Sequence, residues 1–310
     1  MHLYSITLDG ETIGVRSNID LTPIFAKWEE LLHLTGVTIS LGGEHEFNIE
    51  YVSASGYSVN YQEKQVQIVM PARDLHKGEV LLYAVLPFLE ILHQRNAVVT
   101  MHAAAVELGT GAILLLGKIG AGKTSLTLSL CRNHQARLIG NDIVNVGLQD
   151  SKVVTHSGSK YFFLRQESIK RNIPDLLSLF PQSRKDPWTH KIHCLPDRLG
   201  ITTCNRPLPI TRSYLVHVDE TMSDVYTTSA DCLDTRLYLN ENMSRYIRGT
   251  ATALFGGSSR PMGYIPSFDT SDFFEMRVKM MEVLISSSQI TYVAGNLQNI
   301  CQHFVSEAEF

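Results

Sequence analysis

The sequence predicts a mixed α/β fold, with a smaller β-rich α+β domain over residues 1–95 followed by a larger α/β domain over residues 96–310. Three observations predict it. Short alternating apolar runs broken by glycines occupy residues 1 to about 75. Further on, Ala112-Ile113-Leu114-Leu115-Leu116 is a continuous apolar run, the pattern of a strand buried on both faces. A glycine-rich loop follows that run at once, and a helix-forming stretch follows the loop.

The elements follow in order. Tyr4–Leu8, Val37–Leu41 and Gln65–Val69 alternate apolar and polar residues, and Asp9-Gly10 and Gly42-Gly43 supply turns between such runs. Pro23–Leu32 has helical spacing. From Lys77 to Asn96 apolar residues recur at three and four, which predicts a helix kinked at or started by Pro87. Thr100–Val106 reads as a strand carrying His102. After the apolar run and its loop, Thr124–Asn133 reads as a helix and Arg137–Gly140 as another strand, ending at Asn141-Asp142. Ser168–Phe180 looks helical with a break at Pro174, Gln182–Pro196 is a polar loop, and Ser213–Val218 is a strand. Leu233–Leu254 and Phe273–Ser286 read as helices joined by a Gly/Ser/Pro-rich loop, Gly256–Pro266.

Composition bounds the function. The chain has 310 residues, 44% hydrophobic and 19% charged, values ordinary for a soluble globular protein. A net charge of −4 and a pI near 6.3 argue against a nucleic-acid-binding surface spread over the chain. No apolar run is long enough to span a membrane, and the start lacks the basic and apolar segments of a signal peptide. Five cysteines, none in a CxxC, argue against a disulfide framework or zinc knuckle, and none of the twelve histidines stands in an HExxH. The expectation is a reduced, cytoplasmic protein.

The loop Gly117-Lys118-Ile119-Gly120-Ala121-Gly122-Lys123-Thr124 matches GxxxxGK[ST] in full. Its glycines let the backbone turn and bring N–H groups close to phosphate oxygens. Gly122 opens a helix whose N-terminus favours an anion. Lys123 is expected to reach the β- and γ-phosphates, and Thr124 to give its hydroxyl to Mg²⁺. The residues expected to hold a nucleotide are therefore Gly117, Gly120, Ala121, Gly122, Lys123, Thr124 and Ser125. Such a site also needs a carboxylate near the metal, and Asp142, at the end of the next strand, is the candidate; a turn role for Asn141-Asp142 is the alternative.

Met101-His102-Ala103-Ala104-Ala105-Val106, the loop, and Leu138-Ile139-Gly140-Asn141-Asp142 together resemble the catalytic core of the HPr kinase/phosphorylase family, which belongs with the phosphoenolpyruvate carboxykinase-like P-loop proteins. The resemblance covers about residues 100–147. It implies a kinase that uses ATP and Mg²⁺ to phosphorylate a hydroxyl. In the family pattern Lys123 and Thr124 match nucleotide and metal residues, His102 the active-site histidine, and Asp142 the second of two acids. Asn141 stands where the family has the first acid. The layout looks like the variant members found beside peptide-modification genes, some of which act on a serine of a peptide or on free serine. Relatives of this family often oligomerise, so a homo-oligomer is a further expectation.

Weaker candidates surround the core. Lys160 and Arg165 follow Asp142 and are positioned to touch phosphate or an acidic substrate, or else to be solvated. Arg245, Arg248 and Arg260 flank the Gly249–Pro266 segment, and a late arginine suits a transferring phosphate. The KDPWTHKIH stretch, Lys185–His193, is either a docking loop or a solvated one. Three functions stay open at this point: a kinase acting on a peptide serine or a small-molecule hydroxyl, a nucleotide-dependent binding or regulatory module with weak turnover, and a hydrolytic NTPase switch.

Overall fold

The computed structural model describes residues 1–26, 28, 37–75, 79–179, 191–230, 232–249, 253–256 and 260–308. The fold is mixed α/β with several sheets. It divides into two compact units, Met1–Thr100 with Tyr238–Lys279, and Met101–Leu237 with Met280–Phe310. The sequence placed one boundary near residue 95; the structure returns residues 238–279 to the first unit, a non-local pairing that no local pattern signals.

The first 100 residues form a six-stranded sheet. It comprises β1 (His2–Leu8), β2 (Glu11–Ser17), β3 (Thr38–Leu41), β4 (Asn48–Ser53), β5 (Ser58–Tyr61) and β6 (Gln65–Met70), in the order β3-β1-β2-β4-β6-β5. Alternation decides which side is buried: in β6, Val66, Ile68 and Met70 are buried while the intervening residues are partly exposed. Of the expected Pro23–Leu32 helix, the short α1 (Thr22–Phe25) and Trp28 are described, and 27 and 29–36 lie outside the described residues. Phe25 packs edge-on against Tyr4 at 5.0 Å and Trp28 at 4.8 Å. The expected helix from Lys77, itself outside the described residues, is α2 (Glu79–Arg95). Pro87 sits inside α2 rather than at its start, and its neighbour Phe88 stacks on Phe47 at 5.0 Å.

The expected single strand from Thr100 to Val106 is two, β7 (Val98–Met101) and β8 (Ala104–Leu108), so His102 sits in the break between strands rather than on one. The apolar run is β9 (Gly111–Leu116), buried at all six positions. Then come α3 (Lys123–Asn133), β10 (Arg137–Gly140), β11 (Val144–Gln149), β12 (Lys152–Gly158) and β13 (Phe162–Arg165). The expected Ser168–Phe180 helix is α4 (Gln166–Asn172) and then a 3₁₀ segment, Pro174–Leu179, divided as Pro174 predicts. In the expected polar loop, 181–190 lie outside the described residues and β14 (Lys191–Cys194) pairs with β13. β15 (Leu208–Val218) and β16 (Tyr226–Ser229) follow.

The helix expected over Leu233–Leu254 ends early, as α5 (Leu233–Ser244), and residues 253–256 are β17 (Ala253–Gly256), paired with β18 (Arg260–Tyr264). Arg245 and Arg248, which fall within the expected helix, therefore lie beyond its observed end. Positions 250–252 and 257–259 lie outside the described residues. α6 (Ser271–Ser288), β19 (Ile290–Gly295) and α7 (Leu297–Ala308) complete the chain. Among the described residues, no helix is long and apolar enough to cross a membrane.

Strand direction in the second unit positions the site. β9 pairs parallel with β15, and β15 parallel with β19. β8 pairs antiparallel with β9 and with β10, so β10 runs in the direction of β9. The C-terminal ends of β9, β10, β15 and β19 thus share one sheet edge with the N-terminal end of β8. Helices α3 and α7 cover an apolar core that includes Ile113, Leu126, Leu130 and Val216, with Tyr214 stacked on Phe304 at 4.0 Å.

Candidate active site

One sheet edge gathers the chemistry. The loop Gly117–Gly122 leaves β9 there, Asn141-Asp142 leave β10 there, and His102 immediately precedes β8 there. His102, Gly120 to Ser125, Asn141, Asp142 and Arg165 all line one cavity of about 390 Å³.

The loop is held from behind by β15. Val218 N donates to Ala121 O at 3.0 Å. Gly122, at φ +94°, has the left-handed backbone that opens α3, and a Cβ there would lie 2.3 Å from Val218 Cγ2. Conformation and space both demand glycine at this position. The helix ladder begins with Leu126 N to Gly122 O at 2.9 Å, so the amides of Lys123, Thr124 and Ser125 precede it. They form the anion-favouring end of α3. Lys123 is buried, and its Nζ donates to Gly117 O at 2.7 Å and Lys118 O at 3.3 Å, folded back over its own loop.

Asn141 and Asp142 come from adjacent backbone of different character. Gly140 and Gly158 pack backbone to backbone: a Cβ on Gly140 would stand 2.8 Å from Gly158 Cα and 2.7 Å from Ile143 O. Asn141 N then donates to Ser159 O at 2.7 Å, and Ser159 N to Ile143 O at 2.9 Å. Asn141 is 2% exposed. Its Nδ2 donates to Tyr161 O at 3.1 Å, which fixes the amide's orientation, and its Oδ1 is buried with no hydrogen-bond partner among the described residues. Asp142 takes φ +78°, a strained value for a non-glycine residue. Its Oδ1 lies 3.2 Å from His102 Nδ1. A carboxylate only accepts, so this contact favours the proton on Nδ1 and leaves Nε2 as the acceptor of the neutral ring.

These donors fit a phosphate-bound cation. Thr124 offers a hydroxyl and Asp142 a carboxylate, and both residues line the cavity. Among the described residues no three His, Cys, Asp or Glu side chains converge as a metal cage.

The other expected contacts divide. Arg165, exposed at the start of α4, lines the cavity. Lys160 does not line it: the Lys160 ammonium is buried and donates to the carbonyls of Leu138, Ile139 and Cys204. Three donors facing three carbonyls hold a strand end together rather than a phosphate. Arg248 is exposed and belongs to the other unit, and the side chain of Arg260 lies outside the described residues. Of the Lys185–His193 stretch, 185–190 lie outside the described residues, and His193 stacks on Tyr161 at 4.8 Å.

Local pattern did not reveal the cavity's apolar end. Leu128 of α3 and Ile169 and Ile173 of the α4 region line it beside Phe163 and Ser168. Leu128 is signalled only by its i+4 spacing from Thr124; the rest requires knowing where α4 packs. Asp219, which follows β15 at the same sheet edge, also escaped notice. The apolar run Tyr214–Val218 ending in an acid is its signal. The Asp219 carboxyl accepts from Thr221 Oγ1 at 2.7 Å and Thr221 N at 2.9 Å, bonds that hold it below the usual carboxylate range.

No family model and no curated protein matches this chain. Among solved structures it is similar to the Hpr(Ser) kinase/phosphatase from Coxiella burnetii, at 12% identity and a TM-score of 0.31, over 68% of this chain and 93% of that one. Such a likeness marks a distant relationship at most.

Proposed function

We propose that this chain is an ATP-dependent kinase that transfers the γ-phosphoryl group to a hydroxyl, on a peptide or protein serine or on a small molecule, with Mg²⁺ bound. One observation carries the reading. A complete GxxxxGK[ST] loop opening a helix shares a single cavity with His102, which precedes β8, and with Asn141 and Asp142, which follow β10. A phosphate-binding loop alone needs no such company.

The roles follow from position. Amides at the start of α3 and the Lys123 ammonium would hold the β- and γ-phosphates, with Lys123 leaving its loop carbonyls to do so. Thr124 and Asp142 would hold Mg²⁺, which neutralises charge on the phosphates when bound. His102, whose Nδ1 faces Asp142, would serve as the proton acceptor. Phosphoryl transfer passes through a loose transition state, so positioning and charge neutralisation supply most of the rate. The resemblance of residues 100–147 to the HPr kinase/phosphorylase family supports the same reading.

The test is an acceptor screen with γ-labelled ATP and Mg²⁺, run beside ADP-binding calorimetry. Label should move to a hydroxyl-bearing acceptor. Lys123→Ala should weaken ADP binding about 10- to 100-fold, the worth of a charge-assisted hydrogen bond of about 1.5–3 kcal/mol. Unchanged ADP affinity in Lys123→Ala would sink the reading.

A further inference from the structure

The position that departs from the family pattern, Asn141, invites the reading of a lost acid. Its surroundings say otherwise. Asn141 Nδ2 donates to Tyr161 O at 3.1 Å in a buried setting. A carboxylate at the same place would set an oxygen against that carbonyl, with no proton between them. Backbone bonds pin the residue on both sides, Asn141 N to Ser159 O and Ser159 N to Ile143 O, and the Gly140–Gly158 contact leaves the strand no room to retreat. The amide cannot turn over without losing its donor bond. Its Oδ1 is therefore held as a buried acceptor with no hydrogen-bond partner among the described residues, on a residue that lines the cavity. A buried unpaired acceptor is destabilising, and it is kept where a ligand supplies the missing donor.

We propose that Asn141 is a positioning residue and that the site is built around an amide rather than a carboxylate. This deepens the kinase reading and rests on it. Oδ1 accepts the hydrogen bond of the acceptor's hydroxyl, which aims an oxygen lone pair at the γ-phosphorus. In a loose transition state that O–H bond stays intact through most of the transfer. The hydroxyl oxygen then bonds to phosphorus, the bond from phosphorus to the bridging oxygen breaks, and its electron pair leaves with ADP. The hydroxyl proton, made acidic by the new bond, then leaves its hydrogen bond to Asn141 Oδ1 and passes to Nε2 of His102, whose Nδ1 faces Asp142. Asn141 takes no proton at any stage.

The decisive variants are Asn141→Asp and Asn141→Ala, read by phosphoryl transfer, by ATP hydrolysis with water as acceptor, by ADP calorimetry and by thermal melting from pH 5 to 8. Asn141→Asp should lower kcat at least tenfold with ADP affinity unchanged. Its melting temperature should stay near wild type at pH 5, where a protonated carboxyl can still donate to Tyr161 O, and fall progressively toward pH 8. Asn141→Ala should lower kcat with no such pH-dependent loss. An Asn141→Asp protein that turns over as fast as wild type or faster would mark Asn141 as a degraded acid and overturn the proposal. So would an Asn141→Asp melting curve that tracks wild type at every pH. If the wild type neither transfers nor hydrolyses phosphate, the kinase reading fails, and the melting series alone decides whether the site is built around an amide.

Discussion

His102 Nδ1 and Asp142 Oδ1 stand 3.2 Å apart although one residue precedes β8 and the other follows β10, and Asp142 holds a strained backbone at φ +78° beside this contact. The pair orients the imidazole and sets its tautomer. His102→Asn should lower kcat about 100-fold or more, the usual worth of a positioned proton acceptor, with ADP affinity unchanged. Asp142→Asn should weaken both turnover and the Mg²⁺ dependence of nucleotide binding, because the same carboxylate serves ring and ion. Calorimetry with and without Mg²⁺ separates the two. A loss of ADP affinity in His102→Asn would place the histidine at the nucleotide instead.

Some of this was readable in the sequence. The β9–loop–α3 unit is local: an apolar run, a complete loop motif and a helix-forming stretch lie within twenty-odd residues, and each part confirms its neighbours. The pairing of His102 with Asp142 was not local, and only the family pattern joined them. Two features were out of reach. The assignment of residues 238–279 to the first unit depends on packing between distant segments. The fate of Lys160 depends on burial, since a lysine after Gly158-Ser159 reads identically whether solvated, at a phosphate or beneath a strand end. Pattern reports which face of an element is apolar and stays silent on what the other elements bring to it.

Gly158 is the tightest point behind the site. A Cβ there would stand 2.7 Å from Gly140 Cα and 2.9 Å from both Ile139 O and Ile143 O, all backbone atoms. Relief requires moving a strand, so Gly158→Ala should destabilise the fold by on the order of 2 kcal/mol. The melting temperature should then fall about 4–8 °C. Because the end of β10 that Gly158 presses on leads into Asn141, turnover should fall below what the loss of folded protein explains. Activity per folded molecule, measured well below the melting transition, checks it.

Lys160 offers a contrast between structure and chemistry. Removing its ammonium leaves the carbonyls of Leu138, Ile139 and Cys204 short of a donor in a buried setting. Each such loss costs about 1–3 kcal/mol, so Lys160→Met should be strongly destabilising. The protein that remains folded should bind ADP as wild type does, since the side chain is no part of the cavity wall. Calorimetry on Lys160→Met at low temperature tests this, and a selective loss of ADP affinity would return the lysine to the phosphate.

A buried acid in the first unit gives the fold a pH dependence of its own. Glu90 is 1% exposed, and burial pushes its carboxyl up to about 7. Its Oε1 accepts from Gln94 Nε2 at 2.7 Å and Thr100 N at 3.2 Å, and Gln94 is in turn held by Arg277, which pairs with Asp269 at 2.7 Å. The folded carboxyl keeps its proton up to about 7, whereas the unfolded one, with a value near 4.5, releases it earlier. Between those two values the folded state binds more protons, so stability declines as pH rises through the window and levels off above it. The size of the decline is on the order of 3 kcal/mol. Glu90→Gln preserves an oxygen acceptor for Gln94 and Thr100 and removes the titration. Its urea midpoint should be nearly flat between pH 5 and 8 and should exceed that of the wild type at pH 8. A wild-type midpoint that rises across the same range would show Glu90 ionised in the fold, with Arg277 outweighing its burial.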